Sequence, residues 1–296
     1  LDELLRRGKR NGILLQDISD QEAKAIEPRV KTFGRAIFSP TTSSVDPRQV
    51  MEAMRQDALA DGVVINSGVK YLCRKGDEIK TSQDSYNAGY TINASGLYAD
   101  KVAADFGFSR DYRILPFKGL YLYSSEPPYA LGTNVYPVPD LANPFLGVHF
   151  TLTVDGHAKI GPTAIPAFWR EQYSGLENFR LNEIADITRR QLMLLISSDF
   201  DFKRLALEEI KKYSRTRMVE LASSLVHGVS LDQYKKWGKP GIRAQLLNIK
   251  TNKLEMDFVI EGDHKSMHVL NAVSPAFTCS LPFSQYICKE INKLLH

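Results

Sequence analysis

His149 stands in the run Pro144-Phe145-Leu146-Gly147-Val148-His149-Phe150-Thr151, a titratable imidazole among apolar, β-prone neighbours. Burying such a ring costs free energy unless it has a partner or a task. Its ordinary pKa lies near neutrality, which suits proton transfer; a hydrogen-bonded core histidine is the plainer alternative. Arg243, in Gly241-Ile242-Arg243-Ala244-Gln245-Leu246, carries the planar fork that grips both oxygens of a carboxylate, whether on a ligand or on a surface partner. Lys118, in Phe117-Lys118-Gly119, offers an anion contact or a solvated charge. Asn93-Ala94-Ser95-Gly96 reads as a strand-to-helix turn of small residues, where backbone can approach a ligand and the helix start behind it favours anions. His149 and His157 have no carboxylate or thiol at ligand spacing, so no metal site is expected.

These residues need elements to place them. Ser19-Asp20-Gln21-Glu22 is a capping box that starts a helix, and Pro28 ends it. Asp46-Pro47 opens another, with Val50, Met51, Met54 and Ala58 as its apolar stripe and Gly62 as its stop. Strands are expected at 63–66 and 69–74, with a turn at Lys75-Gly76-Asp77, and again at 90–93 before a helix over 97–106. Residues 114–161 are β-rich and punctuated by proline and glycine, which points to an antiparallel sheet. Residues 176–226 read as mostly helical, with Phe202, Leu205, Ile210, Tyr213, Met218, Leu221, Ala222 and Leu225 as a core-facing stripe. Strands return at 241–247, 254–260 and 267–270, and a helix closes the chain over 284–294. Leu1 to Arg10 already reads as helix, as though from the interior of a longer chain.

The 296 residues are enough for one large domain or two interleaved ones. With 43% hydrophobic and 24% charged residues the composition is that of a globular protein. The net charge of +4 comes from dispersed Lys and Arg, which argues for a solvated surface and against nucleic-acid binding. Cys73, Cys279 and Cys288 lack metal or disulfide spacing and read as free thiols of a reducing compartment. No apolar run approaches the ~20 residues of a membrane span. A cytoplasmic protein is expected.

Four segments in order, Phe117-Lys118-Gly119-Leu120-Tyr121, Tyr136 to Thr151, Gly161-Pro162 and Gly241 to Leu246, resemble the FAD-dependent L-2-hydroxyglutarate dehydrogenase/oxidase family. That family lies within the D-amino-acid-oxidase-like flavoproteins. Ile92 to Asp100 resembles its INxxGLYAD segment, and His268 to Thr278 its HVLNAPSPxAT segment, with Val273 in place of a proline and Phe277 in place of a small residue. The resemblance implies an α/β (α+β) fold of two interleaved parts. One is an incomplete Rossmann-like FAD-binding domain over 37–110 and 240–296. The other is an antiparallel-sheet substrate domain with helices over 1–36 and 111–239.

It further implies FAD contacts at Val69, Asn93, Ala94, Ser95, Gly96, Ser274, Pro275, Ala276 and Thr278. A small 2-hydroxy acid would meet His149 as base, Arg243 as carboxylate anchor, and Lys118 and Tyr136 beside it. Oxygen, a quinone or an electron carrier would each be compatible as electron acceptor, the last two implying peripheral placement at an inner membrane; homo-oligomerisation is left open. An amine or amino-acid oxidase of the same fold is the nearest alternative.

No two of the 19 glycines are separated by a single residue, so the Gly-x-Gly-x-x-Gly pyrophosphate turn is absent from these residues. The expectation is therefore a truncated family member, and FAD retention by this chain alone is doubtful. A non-catalytic remnant or a domain completed by a partner is the competing expectation.

Overall fold

The computed structural model describes residues 1–139, 147–197, 209–272 and 276–296. The chain divides into two compact units, Leu1–Val64 with Gly119–Ile165 and Leu205–Gly241, and Ile65–Lys118 with Pro166–Arg204 and Ile242–His296.

The first unit is built on a four-stranded antiparallel sheet in the order Lys236–Trp237, Leu122–Tyr123, Ala158–Gly161, His149–Leu152. Alternation along these strands gives the sheet two different faces. Leu122, Phe150, Ala158 and Ile160 turn to a core completed by Met218, Val219 and Ala222 of the helix Arg215–Ser223 and by Tyr234. The other face carries His149 opposite Gly161, and Thr151 opposite Lys159. Upstream, the expected capping box is formed. Ser19 Oγ accepts from the Glu22 N–H, Glu22 accepts from the Ser19 N–H, and the helix runs Asp20–Ile26. Asp46 caps Pro47–Ala60 in the same way, accepting from the Arg48 N–H at 2.9 Å. None of that helix is fully buried, and Met51 of its expected stripe is exposed.

The second unit holds three small sheets. Tyr71–Lys75, Glu78–Thr81 and Ser85–Asn87 form an antiparallel meander around the expected Gly76-Asp77 turn. Val259–Gly262, Ser266–Asn271 and Thr91–Asn93 form the second sheet. Its last pair is parallel, so that His268 faces Asn93 and Ser266 faces Thr91. Tyr112–Gly119 and Gly241–Asn248 are neighbours in the third. Ala99, Ala103, Ile114, Leu246 and Leu270 make one core, and Met267 of the strand Ser266–Asn271 makes another with Ile287 and Ile291 of the helix Ser280–Leu295.

Several expectations need correction. Residues 63–66 form no strand: Val64 is 81% exposed, and the stretch lies between Gly62 and Gly68, both at positive φ. An apolar run with no strand beside it does not become one. The strand expected from Val69 begins at Tyr71, leaving Val69 half-buried before it. The expected 254–260 strand splits into Lys253–Leu254 and Val259–Gly262. Ile210 and Tyr213 of the helical stripe are exposed, whereas Met218 and Ala222 are fully buried. Phe202 and Leu205 lie outside the described residues.

Candidate functional site

The His149 ring is built from its strand outward. Phe150 on that strand exchanges backbone hydrogen bonds with Val135 (2.8 and 3.2 Å), which brings the next residue, Tyr136, alongside. The Tyr136 and His149 rings stack at 4.3 Å and 28°. His149 is 7% exposed, and its Nδ1 lies 2.9 Å from the Gly147 carbonyl oxygen. A carbonyl can only accept, so Nδ1 carries the proton and Nε2 presents the lone pair. Burial holds the His149 pKa below the usual histidine value; the Gly147 contact opposes this, and Lys159 on the same face reinforces it. The result is a neutral imidazole with a fixed tautomer and an accepting Nε2. Lys159 is itself pushed down by burial, and its Nζ lies 4.8 Å from the Tyr121 ring centroid. His157, on the hairpin turn, is half-buried.

In the second unit, Lys118 and Arg243 stand on the neighbouring strands Tyr112–Gly119 and Gly241–Asn248. Lys118 is 8% exposed, unlike most lysines, and burial pushes its pKa down; Arg243 is half-buried. A second cationic strand position was legible from the sequence; its burial was not.

The turn at Asn93 is more closely specified than its small residues suggest. Asn93 Oδ1 accepts from the Ser95 N–H (3.2 Å) and from Ser95 Oγ (2.6 Å). Its Nδ2 donates to the Ala99 carbonyl (2.9 Å) and contacts His268 Nδ1 at 3.1 Å. Two backbone groups thus fix which way the amide points, and an amide nitrogen can only donate. His268 Nδ1 is therefore the acceptor, and its Nε2–H faces Ser266 Oγ at 3.1 Å. The ring is wholly buried against Phe106 and Phe108 (4.9 and 5.0 Å between centroids), and burial drives its pKa to about 4. His268 was quoted in the resemblance without a role; the signal for one was its position in the motif that faces the Asn93 motif.

Behind the turn, the helix expected over 97–106 is a 3-10 turn, Gly96–Tyr98, followed by Ala99–Asp105. So short a helix adds little dipole, and any ligand contact rests on small residues and space. Gly96 supplies both: it sits at φ +57, and nothing lies within 4 Å of where a Cβ would stand. Ala94, Ser95 and Gly96 are exposed, Ala276 is half-buried and Thr278 exposed, while Ser274 and Pro275 lie outside the described residues. Exposed backbone at Ala94, Ser95 and Gly96 leaves room for a ligand to approach; a glycine cradle for a pyrophosphate is not among the 296 residues. Among the described residues no cluster of three His, Cys, Asp or Glu side chains could hold a metal ion, and no helix is long and apolar enough to cross a membrane. The cysteines are free.

Comparison with known proteins identifies relatives of the whole chain. A family model described as FAD dependent oxidoreductase matches residues 1–280. The mitochondrial L-2-hydroxyglutarate dehydrogenase of Bos taurus is 33% identical, over 99% of this chain and 67% of its own length. The L-2-hydroxyglutarate dehydrogenase of Escherichia coli K12 is 30% identical, over 99% and 69%. The chain thus spans about two thirds of these relatives. Among solved structures, dithionite-reduced L-alpha-glycerophosphate oxidase from Mycoplasma pneumoniae with FAD bound superposes with a TM-score of 0.70 at 18% identity, covering 99% of this chain and 68% of that one. Glycine oxidase from Geobacillus kaustophilus gives 0.66 at 17%, covering 99% and 67%. Both show a shared fold.

Proposed function

This chain belongs to the FAD-dependent oxidoreductase family, and from that membership we propose that it oxidises a 2-hydroxy acid, L-2-hydroxyglutarate above others, to the 2-oxo acid. The observation that supports this most is His149: a buried, neutral imidazole whose Nδ1 proton is held by Gly147, leaving Nε2 to accept the substrate hydroxyl proton. Bound FAD would supply the hydride acceptor for the hydroxyl-bearing carbon. Arg243 binds a substrate carboxylate through its fork, Lys118 biases its surroundings toward anions, and Tyr136 keeps the His149 ring in plane. On the cofactor side we assign Val69, Asn93, Ala94, Ser95, Gly96, Ser274, Pro275, Ala276 and Thr278. In this reading 37–110 with 240–296 form the cofactor part, and 1–36 with 111–239 the substrate part. The electron acceptor is a quinone or an electron carrier, and the protein works in the cytoplasm at an inner-membrane surface.

Arg243→Met should raise KM for L-2-hydroxyglutarate by about ten- to a hundredfold with a smaller change in kcat, as expected for losing a charge-assisted hydrogen bond. An unchanged KM removes Arg243 from the carboxylate.

A second reading is favoured by one specific observation. Thr91–Asn93 is an end strand of its sheet among the described residues, Ile92 is 53% exposed, and no Gly-x-Gly turn is present to hold a pyrophosphate. On that reading the domain is partner-dependent and non-catalytic until its sheet is completed. Titrating the purified 296-residue chain with FAD tests it: a protein that stays colourless after desalting supports this reading, and a stably yellow one contradicts it.

A further inference from the structure

The Trp169-Arg170-Glu171 segment and the turn at Gly96 are far apart in sequence, yet the second unit binds them together. Arg170 is 4% exposed and Asp100 2%. The guanidinium meets Asp100 through two nitrogens at once, Nη1 to Oδ1 at 2.7 Å and Nη2 to Oδ2 at 2.8 Å. Nη1 also donates to the Leu97 carbonyl, inside the 3-10 turn that follows Ser95. Asp100 accepts in addition from the Ile114 N–H at 3.1 Å, which ties the same carboxylate to the sheet. Next in sequence, Glu171 accepts from the Tyr98 hydroxyl at 2.8 Å, and the Arg170 guanidinium lies 5.6 Å from the Tyr98 ring centroid. The Arg170 N–H donates to Glu183 at 3.0 Å, and Glu183 receives Lys101 at 3.0 Å. Leu97, Tyr98, Asp100 and Lys101 are thus each gripped by Arg170, Glu171 or Glu183.

Stability alone does not call for such an arrangement. A buried ion pair is roughly matched or bettered by a well-packed apolar pair of the same volume, because desolvation offsets the attraction. Arg170 Nε, moreover, has no partner among the described residues although it is buried, which adds to the cost. What apolar packing cannot supply is direction. A planar fork on both carboxylate oxygens fixes the orientation of Asp100, and the same plane fixes the Leu97 carbonyl. Asn93 and His268 hold the start of the turn, whereas Arg170 and Glu171 hold its far side.

We propose that Arg170 is a positioning residue. Through Asp100 and Leu97, and with Glu171 on Tyr98, it sets the backbone of Ser95 to Tyr98 in the shape that receives the flavin cofactor. The inference rests on the assignment of Asn93 to Gly96 to the cofactor, as made above. Arg170 touches no reacting atom in this role. Arg170→Lys keeps the charge but loses the fork and the shared contact to Leu97.

The test has two readouts on the FAD-loaded protein, amide hydrogen exchange resolved by residue and FAD affinity by fluorescence titration. Arg170→Lys should speed exchange at Ser95 to Tyr98 by about tenfold or more, with the amides of His149 to Leu152 unchanged, and should weaken FAD binding by a similar factor. Lys101→Met removes only the half-exposed arm of the network and should leave both readouts near their starting values. If Arg170→Lys does not fold, Asp100→Asn, which retains an acceptor for the Ile114 N–H, is read the same way. Exchange that rises uniformly over the unit with FAD affinity unchanged shows a general structural role and overturns the proposal. An unsubstituted protein that takes up no FAD overturns the cofactor assignment, and the proposal with it.

Discussion

His149→Ala is expected to lower turnover of L-2-hydroxyglutarate by about a hundredfold or more, the usual scale for losing a positioned general base. The cause is local. Gly147 fixes the proton on Nδ1, so Nε2 is the only ring atom able to accept, and alanine has no substitute for it. Substrate binding should change less, because the carboxylate contact is assigned to Arg243. The pH profile carries a second signature. Burial lowers the His149 pKa from 6.5, and the base must be neutral to act. The rate should therefore rise with pH and reach its plateau below the range where an ordinary histidine would still be half protonated. His149→Ala should abolish that limb. A rate limb centred at or above 6.5, or turnover unchanged by the substitution, would remove His149 from the chemistry.

Acid should destabilise the second unit through His268. Its pKa is about 4 in the fold against 6.5 for a free histidine. Between those values the unfolded chain binds a proton that the folded one refuses, so stability increases with pH across the window and is lost as pH falls from 6.5 toward 4. The full loss is about 3 kcal/mol at ~1.4 kcal/mol per pH unit, a large share of a typical domain's 5–15 kcal/mol. The physical reason is specific: a second ring proton would point Nδ1–H at the Nδ2 of Asn93, donor against donor. His268→Phe keeps a ring between Phe106 and Phe108 and removes the titration. At neutral pH it should cost about 1–3 kcal/mol, because the Asn93 amide loses an acceptor and Ser266 a neighbour. Urea melts of the two proteins at pH 4.5 and 7.5 compare them directly. A variant as acid-sensitive as the parent would place the proton elsewhere.

Much of the local structure was legible because its causes are local. The Ser19–Glu22 capping box and the Asp46-Pro47 start each satisfy orphan helix N–H groups with residues a few positions away, and both helices form where those signals stand. In His149–Leu152 the strand itself was legible, while the turning of Phe150 to the core and of His149 to the other face appears only in the sheet. What was not legible depends on partners distant in sequence. Residues 63–66 look like a strand until no neighbouring strand is found for them. The Asn93–His268 contact spans 175 positions and exists only because Thr91–Asn93 and Ser266–Asn271 pair in parallel at one register. Arg170 follows an apolar run and gives no sign of its task until Asp100 is beside it; a charge at the end of the stretch Ala164 to Trp169 was the one available clue. Lys118 and Arg243 were readable as cations on strands, but their neighbouring positions in one sheet follow from topology.

The missing glycine turn leaves cofactor and chemistry to be tested together. The most direct measurement is anaerobic mixing of the FAD-loaded protein with L-2-hydroxyglutarate while the flavin absorbance is followed. Oxidation of the substrate should bleach the oxidised-flavin band and form one equivalent of the 2-oxo acid, and His149→Ala should slow the bleaching by about a hundredfold. A flavin that binds but stays oxidised in the presence of L-2-hydroxyglutarate would contradict the proposed activity.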